Sequence, residues 1–217
     1  MSRRLTRRRA PLAALGLLLI APGRGFADSA AAPTPVPTLT DVVASALENG
    51  CLRSGDALKI ATLFTRSGWP AFRNQKRPNT LAEITFFAAS NRDVDGKTLT
   101  LALVDNPMRI ADRKVDWVQC DLADAGGWQT KIVAAATQIL GDPSPPAAGG
   151  PAQNPRWTFR ANGKARTPIA LAPTDTPRQI ADRVRLFEPD ERLIDVRVGT
   201  LGTQSYVLVS TYGSPGQ

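Results

Sequence analysis

The chain has 217 residues, with 27 basic and 19 acidic side chains, two cysteines and no histidine. The lack of histidine excludes Ser-His-Asp and Cys-His catalysis, histidine general bases and histidine-containing zinc sites. The sequence also contains no P-loop, GxSxG or GxGxxG motif. A chain of this length suits one domain of ordinary size or two small ones.

Residues 1–27 have the layout of a signal peptide. Five arginines within the first nine residues form a basic segment, residues 10–21 form an apolar run, and small residues precede a cleavage point after Ala27. The apolar run is shorter than the roughly 20 residues that span a bilayer, so a membrane anchor is the less favoured interpretation. Ser2-Arg3-Arg4 also fits a twin-arginine signal, although the following residues continue that motif poorly. We expect a periplasmic or secreted protein that does not span a membrane after signal removal.

Removal of this segment changes the charge of the chain. It holds six of the 27 basic residues and none of the 19 acidic ones, so the remainder carries a formal net charge of +2. A strongly basic chain would have suggested binding to nucleic acid. That interpretation loses its support, and we expect no nucleic-acid partner.

The predicted domain covers residues 39–213 and follows a flexible tail, residues 28–38, that is rich in proline, alanine and threonine. Its first helix is expected to be capped by Thr40 or Asp41 and to carry an apolar stripe that ends at Cys51. A second helix is expected to start at Ser54, and Gly68 is expected to stop it with a left-handed conformation.

Strands and two further helices are predicted in the rest of the domain. The predicted strands cover residues 83–88, 98–104, 115–122, 156–161, 166–171, 193–198 and 205–210. Asp124 is expected to cap a helix that ends at Gly141, and Thr176-Pro177-Arg178-Gln179 is a well-formed helix start. Asn162-Gly163 predicts a two-residue turn, and Pro168 predicts an edge strand.

Residues 91–96 resemble the first half of an EF-hand calcium loop. The position that needs a bidentate glutamate is Ala102, and no helix follows. A hairpin turn at Asp95-Gly96 accounts for the same residues and is preferred. We therefore expect no metal and no cofactor.

Short helices among antiparallel hairpins indicate an α+β fold, with an antiparallel sheet of about six to seven strands and helices packed on it. The proline-rich segment 142–155 cannot pack a core and is either a long surface loop or a linker. We favour one domain with this segment as a loop.

The predicted strand 115–122 carries one of the two cysteines. Val118, Cys120 and Leu122 share one face, and Val115 and Trp117 share the other. In an exported chain the two cysteines are expected to form a structural disulfide, because a redox pair is usually closer in sequence. A bond from Cys120 to Cys51 would stabilise the fold by about 4 kcal/mol in the chain-entropy model.

Carboxylates are the catalytic groups that remain. A glycan hydrolase would need two of them in one cleft, and the candidates are Glu83, Asp116, Asp121 and Asp124. A solvated face or a helix cap explains each one, so no catalytic residue is assigned. Four tryptophans could form a carbohydrate platform, but Trp69, Trp128 and Trp157 are expected to pack in the core. Trp117 is the exception and is expected to be exposed if its face is uncovered.

Basic residues cluster around the hairpin that follows the proline-rich segment. They are Arg156, Arg160, Lys164 and Arg166, and the chain from Arg156 onward holds nine basic and six acidic residues. This patch suits an anionic partner in the cell envelope, although an ordinary solvated hairpin face explains it as well.

The order of a cysteine helix, Gly68-Trp69, a strand cysteine and a helix ending at Leu140-Gly141 resembles uncharacterised secreted bacterial proteins with a single disulfide. The resemblance covers roughly residues 41–141 and implies no activity. We expect a non-catalytic protein that binds an envelope component or a periplasmic protein. The alternative is a carboxylate-dependent hydrolase acting on cell-wall glycan.

Overall fold

The computed structural model describes residues 37–74, 86–111, 113–124, 126–144, 154–172 and 174–213. These residues belong to one compact unit, Val36–Gln217, with an α+β fold. The helices are α1 (Leu39–Ala46), α2 (Ala57–Arg66), α3 (Gln129–Leu140) and α4 (Pro177–Val184). The strands are β1 (Arg73–Asn74), β2 (Phe86–Val94), β3 (Lys97–Ile110), β4 (Arg113–Asp124), β5 (Arg156–Asn162), β6 (Ala165–Pro168), β7 (Glu191–Leu201) and β8 (Gln204–Gly213).

The eight described strands form one antiparallel sheet in the order β1-β2-β3-β4-β8-β7-β5-β6. Because β1 has only two residues, seven longer strands make up most of the sheet, as predicted. The predicted strand 115–122 lies within β4, and β3 and β8 flank it near the middle of the sheet.

One face of the sheet packs against α1, α2 and α3. A row of apolar side chains crosses five neighbouring strands beneath these helices, each at most 1% exposed: Leu103, Cys120, Val209, Val196 and Trp157. The Trp157 indole also donates a 2.8 Å hydrogen bond to the carbonyl of Gly141 at the end of α3. The helices and the sheet therefore share one large core.

The other face has a smaller core under α4. Ile180 and Val184 of α4 pack there with Val115 of β4 and Tyr212 of β8. Trp117 is half-buried at this place, because its ring stacks on Tyr212 with 5.8 Å between the ring centroids. Its face of the sheet is therefore covered at this end.

The predicted disulfide is confirmed. Cys51 and Cys120 are bonded, with 5.7 Å between their Cα atoms and a separation of 69 positions in the chain. Cys51 ends a π-helical segment, Leu47–Cys51, that continues α1. The bond therefore attaches the end of this helix to the middle of the sheet.

Two predicted helix starts are wrong by a few residues. Thr38 caps α1, and Asp41 is the third helical residue, whose carboxylate accepts a hydrogen bond from the Thr38 backbone N–H. Asp56 caps α2, because its carboxylate reaches the N–H groups of the second and third helical residues, and Ser54 accepts a hydrogen bond from the Asp56 N–H. Gly68 has φ +82 and ends α2 as predicted.

Asp124 does not cap a helix. It ends β4, is 2% exposed, and accepts hydrogen bonds from the N–H groups of Gly126 and Ser205. The carboxylate therefore joins two loops, and α3 begins only at Gln129 and ends before Gly141. The predicted start of α4 is confirmed, with Thr176 and Gln179 forming a capping box around a proline.

Two hairpins differ in detail from their prediction. The turn at Asp95-Gly96 is confirmed, with φ +51 and +72, but β2 runs as far as Val94, so residues 91–94 pair in the sheet. In the β5–β6 hairpin Asn162 pairs with Ala165, which moves the turn one residue on, to residues 163–164. Pro168 lies in the edge strand β6, as predicted.

Other strand limits were also wrong. Residues 73–74 form a short strand that was not among the predicted ones, and β7 and β8 extend beyond their predicted ends, with the turn at residues 202–203. The predicted signal peptide, most of the tail, Glu83 and most of the proline-rich segment lie outside the described residues. In the part of the chain that the structure describes, no helix is both long and apolar enough to cross a membrane.

Candidate functional site

A cavity of about 720 Å³ opens at the β6 side of the sheet, where the end of the α1 π-helical segment meets the β5–β6 hairpin and the start of β7. We call it the basic pocket. Its charged lining consists of four basic and two acidic residues: Arg53, Lys164, Arg166, Arg192, Glu48 and Asp190. Its volume lies within the roughly 300–1,000 Å³ that is usual for small-molecule sites.

Strand register brings the two pocket arginines of the sheet together. Ala161 of β5 pairs with Arg166 of β6 on one side and with Arg192 of β7 on the other. Neighbouring strands lie roughly 4.8 Å apart, so the two arginine Cα atoms are about 10 Å apart with only a methyl side chain between them. Both long side chains therefore rise from the same face of the sheet beside a small residue.

Arg192 is held in place by the helix end. Its guanidinium donates hydrogen bonds to the carbonyl oxygens of Leu52 at 2.8 Å and Arg53 at 3.5 Å. These contacts orient the group but do not neutralise its charge. Burial lowers the pKa of Arg192, and the positive charge of Arg166 lowers it further.

Within the part of the chain that the structure describes, the pocket cations form no close ion pair. Asp190 accepts a 2.9 Å hydrogen bond from the amide of Asn162. Glu48 is exposed, and its charge only opposes the lowering of the Arg166 pKa by burial. Four cations and two carboxylates leave the pocket with a formal charge of +2.

The structure divides the predicted basic patch between two faces of the sheet. Lys164 and Arg166 line the basic pocket. Arg156 is on the opposite face, where its guanidinium forms a two-point contact with Asp195 at 2.7 and 3.1 Å. Arg160, on that same face, pairs with Glu191. The four predicted residues therefore do not form one continuous surface.

Sequence reasoning missed two of the four pocket cations. Arg53 follows the predicted first helix, and Arg192 immediately precedes the predicted strand 193–198, but no local pattern connects either with Lys164 or Arg166. Their meeting depends on the pairing of β5 with β7 and on the position of the π-helical segment. The clustering of Lys164 and Arg166 around a hairpin turn was the only signal available.

The described carboxylate candidates do not form a catalytic pair. Asp116 and Asp124 are eight positions apart on β4, about 26 Å along a strand. Asp121 has the opposite parity on β4, so it lies on the other face. A glycosidase needs two carboxyl groups roughly 5–9.5 Å apart. These three residues give the hydrolase interpretation no support.

Asp121 nevertheless has an unusual environment. It is half-buried, and its Oδ1 atom has no hydrogen-bond partner among the described residues. Burial raises the pKa of this carboxyl group from 3.8 to about 6. Its paired neighbours across the sheet are Ala102 and Leu208, neither of which is polar.

Three of the four tryptophans are buried. Trp69, Trp128 and Trp157 are 5%, 6% and 1% exposed, which confirms their place in the core. Within the described residues no group of three or more acidic or cysteine side chains is arranged to hold a metal ion.

A second cavity, of about 310 Å³, lies between α1 and α2 and reaches Trp69 and Arg92. Here the Arg92 guanidinium lies 5.9 Å from the centroid of the Trp69 ring. The charge of Arg92 thus already has a favourable contact, which distinguishes this cavity from the basic pocket.

No protein-family model matches the chain, and neither a curated protein nor a solved structure shows significant similarity to it.

Proposed function

We propose that the protein is a non-catalytic binding protein of the bacterial envelope or exterior, and that the basic pocket takes an anionic group of its partner. The observation that carries the proposal is the pair Arg166 and Arg192, two half-buried guanidinium groups on either side of Ala161. Among the described residues neither one has a salt-bridge partner.

Two like charges held close together in a partly buried place destabilise the free protein. Burial lowers the pKa of both groups, and the charge of Arg166 lowers the pKa of Arg192. A bound anion would remove this repulsion and replace the lost hydration with charge-assisted hydrogen bonds. The pocket is thus better suited to an occupied state than to an empty one.

Export is part of the proposal and rests on the sequence. The basic segment, the short apolar run and the small residues before position 28 are typical of a cleaved signal. A disulfide between helix and sheet also suits an oxidising compartment. An anionic component of the envelope is the partner that agrees with both location and charge.

The test measures binding of the purified protein to dextran sulfate, with neutral dextran of the same length as the reference polymer. The pocket variant is Lys164→Gln with Arg166→Gln. The control is Arg109→Gln with Arg178→Gln, which removes the same charge at two exposed positions outside the pocket. Circular dichroism and melting curves establish that both variants are folded.

We expect the pocket variant to lose about tenfold or more in affinity at low salt, because charge-assisted contacts are lost. The wild-type affinity should fall with rising salt. The control should bind nearly as well as the wild type. Equal losses in both variants would attribute the binding to overall charge, and no binding by the wild type would refute the proposal.

A further inference from the structure

The basic pocket presents its cations from three different elements. Arg166 and Arg192 rise from the sheet, Lys164 belongs to the hairpin turn, and Arg53 follows the π-helical segment. Their donors therefore approach the cavity from several directions. This arrangement differs from a single arginine on an open surface.

The number of donors favours a particular kind of anion. A planar carboxylate is satisfied by one guanidinium fork, which makes two parallel hydrogen bonds. Two guanidinium groups with a further ammonium suit an oxyanion that has three oxygens pointing in different directions, as a phosphate ester does. Two of the Arg192 N–H groups are already bonded to the carbonyls of Leu52 and Arg53, which leaves the others for a ligand.

Besides the four cations, Leu52 and Gly163, the pocket is lined by three polar residues that are not basic. Glu48 and Asp190 line it together with Asn162, whose amide is bonded to Asp190. Carboxylate and amide oxygens accept hydrogen bonds from hydroxyl groups, and they would repel a second anionic group. The cavity of about 720 Å³ is also larger than an inorganic ion requires.

From these observations we infer that the ligand is a phosphate ester of a sugar, with its phosphate between Arg166 and Arg192 and its hydroxyl groups toward Glu48, Asp190 and Asn162. This inference rests on the proposed function, because it names the chemical class of the anion. The sugar phosphate is either a soluble molecule or the headgroup of a glycolipid, and both sources have the same recognised chemistry.

The experiment compares four soluble probes by isothermal titration calorimetry with the purified protein: glucose 6-phosphate, glucuronate, glucose and inorganic phosphate. Glucuronate has a carboxylate where glucose 6-phosphate has a phosphate on the same ring. Co-sedimentation with phosphatidylcholine vesicles, with and without lipid A, tests the lipid source, because lipid A carries phosphorylated glucosamine. The variants are Arg166→Gln and Arg166→Lys, with Arg178→Gln on α4 as the control.

We expect glucose 6-phosphate to bind about tenfold or more tightly than glucuronate or inorganic phosphate, because only it uses both parts of the pocket. Arg166→Gln should abolish this preference, and Arg178→Gln should preserve it. Arg166→Lys keeps the charge but not the two-point fork, so it should retain weak binding without discrimination between phosphate and carboxylate. Sedimentation only with lipid A vesicles, lost in Arg166→Gln, would support the inference and assign the lipid source.

Other outcomes overturn the inference in distinguishable ways. If glucuronate binds as tightly as glucose 6-phosphate, the pocket is an anion site without phosphate selectivity, and the proposed function survives. If inorganic phosphate binds as tightly as the ester, the sugar part is wrong. If no anion, dextran sulfate and lipid A vesicles included, binds in an Arg166-dependent way, both the inference and the proposed function are refuted.

Discussion

Arg192 donates a 2.8 Å hydrogen bond to the carbonyl oxygen of Leu52, a residue 140 positions earlier in the chain. Leu52 directly follows Cys51, whose bond to Cys120 attaches the end of the α1 π-helical segment to β4. The backbone that orients a pocket arginine is therefore tied covalently to the middle of the sheet. The disulfide thus connects the lining of the basic pocket to β4.

The disulfide is expected to support the pocket. In a Cys51→Ala, Cys120→Ala variant the helix end can move, and the hydrogen bonds that orient Arg192 weaken. A loss of about 0.5–1.5 kcal/mol would lower the affinity for dextran sulfate roughly twofold to tenfold. The measurement compares this variant with the wild type, oxidised and reduced. An unchanged affinity in the folded variant would show that the disulfide has no part in the pocket.

The same substitution is expected to destabilise the fold without abolishing it. Closing a loop of this length contributes about 4 kcal/mol in the chain-entropy model, and alanine can occupy the space of the small buried sulfur groups with little strain. Urea unfolding of wild type and variant gives the difference in unfolding free energy. Thiol titration of the denatured, unreduced wild type should find no free thiol, and two titratable thiols would contradict the structure.

Asp195 is expected to be essential to stability on the α4 face of the sheet. It is 1% exposed and contacts both Arg156 and Arg197 at 2.7–3.1 Å. Asp195→Ala should cost about 3–5 kcal/mol of unfolding free energy, because it leaves the partly buried charge of Arg156 without its partner.

The matched control is Glu191→Ala, on the same strand as Asp195, which breaks the more exposed pair of Glu191 with Arg160 of β5. A pair of this kind contributes only about 0–1 kcal/mol. Chemical unfolding of both variants should therefore separate them clearly. Similar losses in the two would mean that burial does not decide the value of these pairs.

Asp121 is expected to make stability depend on pH. Its folded-state pKa of about 6 exceeds the ordinary 3.8, so the folded protein retains a proton that the unfolded chain releases. This contribution is present below pH 4 and is lost as the pH rises to 6, with a total of up to about 3 kcal/mol. Urea unfolding at pH 4 and at pH 7 measures this decline in unfolding free energy, and Asp121→Asn should remove it. Asp142→Asn, at an exposed position, should keep it, and a decline that persists in Asp121→Asn would refute the assignment.

Export is tested by the mass of the protein recovered from the periplasm of a producing bacterium. The chain should begin at Asp28 or within a few residues of it, because small residues precede that position. An Ala27→Asp substitution should block cleavage and leave the longer chain. Recovery of the uncleaved wild type from the cytoplasm would contradict the location proposed for the protein.

Several features could be read directly from the sequence, because each depends on residues that are close together in the chain. The capping box of α4 needs only Thr176 and Gln179, and the turn at Asp95-Gly96 needs two residues that tolerate positive φ. The alternation in β4 likewise predicted which side of the strand Cys120 faces, and the two lone cysteines predicted the disulfide. The fold class followed from the order of such elements.

Tertiary structure alone decided which residues form the basic pocket. Arg166 and Arg192 meet because β6 and β7 both pair with β5 at Ala161, and Arg53 joins them because the disulfide and the core hold the helix end over that edge. The same pairing placed Arg156 on the opposite face, beside the buried Asp195. Strand register is set by side-chain packing across the whole sheet, and no local stretch of sequence encodes such long-range contacts.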